Sequence, residues 1–83
     1  MSTFNKWLDT FIEEKEIDLE DTFTVVTESG TPNIIPYGVI IEHIKITSSE
    51  EQKKIKDVLV RLDFENRDIR FFFKHLGQAI AKD

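Results

Sequence analysis

Phe4, Trp7, Leu8, Phe11 and Ile12 recur at i, i+3, i+4, i+7 and i+8. At about 100° per residue these five fall on one stripe of an α-helix. Lys6, Asp9, Glu13 and Glu16 fall on the other side. Ser2 or Thr3 can cap the start by accepting from an orphan backbone N–H. The helix is expected to fade near Lys15–Glu16. An apolar stripe this dense must be covered, and 83 residues is the length of one domain to do it.

The rest of the chain supplies the cover. Thr22-Phe23-Thr24-Val25-Val26-Thr27 is dense in β-branched and aromatic residues and reads as a strand. Ser29-Gly30-Thr31-Pro32-Asn33 is a turn cluster, followed by Ile34-Ile35. The reading is a β-hairpin pairing residues 22–28 with about 32–35. A lone two-stranded hairpin is marginal in water, so a helix must cover one face. Pro36 can open a second helix at its first position, where a missing N–H costs nothing. Tyr37, Ile40, Ile41 and Ile44 then repeat the helical spacing, although the β-branched run also allows a longer strand. Ser48 followed by Glu51 forms a capping box for a third helix, with stripe Ile55, Val58, Leu59 and Leu62. Asp63-Phe64-Glu65-Asn66 reads as a short turn around a buried Phe64. A fourth helix starts near Arg67 or Asp68, with stripe Ile69, Phe72, Phe73, Leu76, Ala79 and Ile80. Gly77 inside it costs about 1 kcal/mol relative to Ala. The expected fold is one helix-dominated α+β domain over 1–83, in the order α-β-β-α-α-α, its hairpin packed on three or four helices.

Charge and cysteine usage bound the function. The net charge is −5, and it is uneven. Residues 1–50 carry three Lys and ten Asp or Glu, a net of −7, while residues 51–83 carry eight Lys or Arg and six Asp or Glu, a net of +2. An acidic balance argues against non-specific nucleic-acid binding and leaves a local basic face in the second half. Without cysteine, disulfides and thiolate zinc are excluded. No segment approaches the roughly 20 apolar residues of a membrane span. The opening residues lack the apolar run of a signal peptide, so a cytoplasmic protein is expected.

No motif for catalysis, a metal or a cofactor is present in the sequence. Gly30, Gly38 and Gly77 are too far apart for a phosphate-cradling loop. His43 and His75 lie beside the apolar stripes, outside any metal spacing, and read as boundary residues. Glu13, Glu14, Glu16, Asp18, Glu20 and Asp21 place six carboxylates in nine residues. They lack the central glycine and alternation of a calcium loop. They read as a solvated helix end, or as a phosphate-mimicking surface on a small acidic inhibitor.

The residues left over from the stripes carry the functional expectation. Phe71 lies about 160–200° from its helix's stripe, framed by Arg67, Lys74, His75 and Gln78. Val60 and Val39 are likewise off their stripes. Aromatic and Arg residues are what interface centres favour. The expectation is a non-enzymatic interaction module that binds a protein partner, or a second copy, through Phe71, Arg67, Lys74, His75, Gln78 and Val60. The alternative is a small DNA-binding regulator, with a helix-turn-helix at about 36–62 and Lys53, Lys54, Lys56 and Arg61 on its second helix. Against it, Glu50 and Glu51 stand where that helix would approach phosphates.

Overall fold

A computed structural model describes residues 3–64 and 69–81, with 63 and 64 as backbone alone. Its elements are α1 (Thr3–Glu14), β1 (Thr22–Val26), β2 (Pro32–Pro36), α2 (Tyr37–Lys45), α3 (Ser49–Phe64) and α4 (Ile69–Ala81). The expected order and class hold. The side chain of Phe64, the Arg67–Asp68 helix start and a Ser2 cap lie outside the described residues.

α1 buries Leu8, Phe11 and Ile12, with Phe4 and Trp7 packed against the core at its edge. It ends in a Schellman turn. Glu16 sits at φ 54, its N–H donates to the Glu13 carbonyl, and the Ile17 N–H donates to the Ile12 carbonyl. These bonds satisfy two carbonyls that a helix end leaves open. Ile17 then folds back onto the core.

The hairpin pairs Thr22 with Pro36, Thr24 with Ile34 and Val26 with Pro32. β1 is shorter than the sequence suggests, because Thr27 joins the turn. The Gly30 N–H donates to the Thr27 carbonyl, and Gly30 at φ 85 takes the left-handed conformation glycine adopts at no steric cost. The bonds flanking the strands set the phase of the ladder. Thr27 N–H donates to the Thr31 carbonyl, and Tyr37 N–H to the Asp21 carbonyl. Positions 21, 23, 25 and 27 therefore face β2, and 22, 24 and 26 direct their backbone groups away from it. The same phase turns Pro32 and Pro36 outward, so neither removes a ladder bond. Phe23, Val25, Asn33 and Ile35 line the covered face, while Thr24, Val26, Pro32 and Ile34 face solvent.

Residues 37–45 are helical, as their period indicates. Pro36 is the last strand residue and the N-cap of α2, at φ −70 and ψ 146, not its first helical residue. It has no side chain to cap with. The open N–H groups of Tyr37 and Gly38 instead donate to the carbonyls of Asp21 and Leu19 in the connector after α1. Strand pairing and helix initiation share one set of bonds here. At the other end, Thr47 Oγ1 donates to the Ile44 carbonyl at 2.7 Å and Gln52 Nε2 to the Lys45 carbonyl at 3.1 Å.

α3 is capped at Ser48, whose Oγ accepts from the Glu51 N–H at 3.2 Å. It buries Ile55 and Leu59 and half-buries Val58 and Leu62. α4 buries Phe73 and Gly77. Ala79, expected in the stripe, is exposed: the helix rolls so that Gly77, on the other flank of the stripe, faces β1. A Cβ at Gly77 would meet the Phe23 ring at 2.7 Å. The core joins Leu8, Val25, Ile40, Ile44, Leu59 and Phe73 as its most enclosed large side chains, and among the described residues it holds no buried polar residue. An aromatic chain runs from Phe23 to Tyr37 (5.3 Å) and on to Phe73 (5.7 Å).

Candidate protein-interaction face

α4 exposes the face opposite its buried stripe. At about 100° per residue, Phe71, Lys74, His75 and Gln78 share that face, and all four are exposed. Phe71 is 68% accessible, so neither the hairpin nor α1 covers its ring. Arg67, expected beside it, lies outside the described residues. Arg70 belongs to a different side. With Lys15, Asp18 and Asp21 it lines a small cleft of about 180 Å³ between α4 and the connector after α1. The basic character of α4 is thus divided between a side facing the acidic connector and an outer side around Phe71.

Val60 on α3 and Val39 on α2 are also exposed, as their positions off the stripes suggest. Each lies on its helix's side away from the core. Lys56, one turn before Val60 and on the same side of α3, holds its ammonium 5.2 Å from the Trp7 ring centroid. That contact ties α3 to α1.

Three apolar residues that the sequence reading did not single out are also largely exposed, and Ile46, at the C-cap of α2, is the most open of them at 80%. Ile34 is 71% and Val26 60% accessible. Both sit on the solvent face of the hairpin. The signal was present: in Val25-Val26 and in Ile34-Ile35, neighbouring strand residues must point to opposite faces. One member of each pair had to face out once helices covered the other side.

The remaining candidates are structural or separate. His43, His75 and Glu42 are exposed. Among the described residues no group of three or more His, Asp or Glu converges as a metal site. In the acidic segment, Asp18 Oδ1 accepts from the Glu20 N–H at 3.0 Å, and Asp21 Oδ1 from the Thr22 N–H at 3.1 Å. Two of the six carboxylates therefore hold the connector in shape. An open cleft of about 580 Å³ lies between the hairpin turn and the end of α4, lined by Thr27, Ser29, Thr31, Asn33 and Gln78 among others. α2 and α3 have the lengths of a helix-turn-helix, joined through 46–48. Among the described residues no helix is long and apolar enough to cross a membrane. No protein-family model, curated protein or solved structure matches the chain.

Proposed function

We propose that this chain is a non-enzymatic protein-interaction module, a small acidic regulator or inhibitor that engages its partner through the outer face of α4. The observation that carries this reading is the exposure of Phe71, 68% accessible, in the middle of a polar and cationic helix face. A large aromatic ring left in water costs free energy that a partner's apolar pocket recovers, on the order of 1.5–3 kcal/mol when fully buried. Lys74, His75 and Gln78 supply the polar rim that interfaces keep around such an anchor. Arg67 and Val60 extend the set, and a second copy of the chain is an admissible partner.

The test is capture of partners from native lysate by immobilised protein, with Phe71→Glu as the control. A partner retained by the unaltered chain and lost with Phe71→Glu supports the reading. Equal retention by both removes α4 from it. A second arm measures retardation of DNA at low salt. Retardation abolished by changing Lys53, Lys54 and Lys56 to Gln would replace this reading with a DNA-binding one.

A further inference from the structure

We infer that the outward edge of β1 accepts an extended segment of another protein as a third strand, a segment with β-branched residues at its centre and Lys or Arg at both ends. This surface is separate from the Phe71 face.

The ladder phase makes the edge available. Thr22, Thr24 and Val26 aim their backbone N–H and C=O groups away from β2. Thr22 N–H is taken by Asp21 Oδ1. Among the described residues nothing pairs with the backbone of Thr24 or Val26, and the sheet has two strands. Exposed edges invite strand addition, and proteins blunt them with Pro, Lys or a bulge. β2 is blunted: of its three outward positions, 32 and 36 are Pro and Ile34 alone carries an N–H. β1 carries neither Pro nor Lys over Thr22–Val26. The protection is applied to one edge and withheld from the other. Beside the open edge, Val26 and Ile34 form an exposed apolar surface that side chains of an added strand would extend.

Charge selects the occupant. Exposed Glu20 and Asp21 precede the strand, and exposed Glu28 follows it. A second copy paired antiparallel about Thr24 would set Glu20 opposite Glu28 of that copy at both ends, and like charges directly opposite destabilise a sheet. A segment with cations at both ends meets carboxylates instead. Arg70 lines the cleft with Asp18 and Asp21, so it competes at one end, whereas among the described residues no Lys or Arg lines the cleft beside Glu28.

The experiment titrates a fluorescein-labelled peptide, Lys-Arg-Thr-Val-Thr-Val-Thr-Arg-Lys, with the full chain and follows anisotropy. Saturable binding is expected, weakened at least about tenfold by Thr24→Pro, equivalent to ~1.4 kcal/mol. Thr24 lends no bond to the β1–β2 ladder, so proline is tolerated there as it is at 32 and 36. Glu20→Lys with Glu28→Lys should weaken binding by about tenfold, and about 0.5 M salt should weaken it similarly. Phe71→Glu should leave it unchanged, which separates this site from the α4 face. Should Thr24→Pro fail to fold, the peptide N-methylated at alternate residues tests the same bonds and should lose about tenfold. The inference is overturned by no binding at about 1 mM protein, by equal binding of a peptide with Glu at its four end positions, or by loss with Phe71→Glu. It is also overturned if sedimentation shows a dimer that Thr24→Pro dissociates, since the edge would then belong to a second copy.

Discussion

The ring of Phe23 in β1 occupies the space that a side chain at Gly77 in α4 would need: an added Cβ would lie 2.7 Å from two of its atoms. The same ring packs against Tyr37 at a centroid distance of 5.3 Å, which limits how far Phe23 can move. Helix propensity alone makes Gly77→Ala stabilising by about 1 kcal/mol. Overpacking costs about 1–3 kcal/mol. Net destabilisation by about 1 kcal/mol is therefore expected in urea unfolding. In a Phe23→Ala background the obstacle is gone, and the same change should stabilise. Additive effects across that double-mutant cycle would show that the contact does not decide the sign.

Glu16 holds the left-handed position of the turn that ends α1, at φ 54. A non-glycine residue there costs roughly 1–2 kcal/mol. The added flexibility of glycine in the unfolded chain offsets part of the gain. A carboxylate near a helix C-terminus is also unfavourable. Glu16→Gly should raise stability by about 1 kcal/mol, or Tm by about 4–8 °C for a domain of this size. A lower Tm would mean that the Glu16 side chain makes a compensating contact.

Phe71 separates stability from binding. Its ring is largely in water, so Phe71→Ala should change unfolding free energy by no more than about 0.5 kcal/mol. Affinity for the partner that α4 engages should fall by about 2 kcal/mol, near 30-fold. Calorimetric titration of the captured partner reads the second number and thermal unfolding the first.

The start of α3 depends on Ser48. Its Oγ accepts the Glu51 N–H, and its carbonyl accepts the Gln52 N–H at 2.9 Å. Ser48→Ala should cost about 1 kcal/mol and Ser48→Asp close to nothing, because Asp caps equally well. Equal losses for the two in chemical denaturation would show that the cap is not the reason for Ser48.

What the sequence made legible was periodic. The stripes of α1, α2 and α3 can be read from spacing, because a helix with one apolar face has a single way to bury it. Phe71, Val60 and Val39 were legible as leftovers for the same reason. Ala79 is exposed because a stripe's edge depends on the roll of the helix, and here that edge runs through Gly77 against Phe23 and Val25, both distant in sequence. Pro36 has the dihedral angles of a strand end and also stands at the N-cap position of a helix, so residue type could not assign it to one element. The acceptors it cannot supply for α2 are the Asp21 and Leu19 carbonyls of a connector whose conformation the apolar pattern does not encode. The open edge of β1 needs the ladder phase, which is known only once Tyr37 is seen to pair with Asp21.

The two prolines of β2 have a consequence for stoichiometry. A sheet open at both sides can recruit strand after strand, and fibres grow that way. Here the side carrying Pro32 and Pro36 is deficient in donors, so growth can proceed in one direction only. Growth of this sheet is accordingly one-sided: a strand can be added next to β1, and the Pro32/Pro36 side stays closed to a second one.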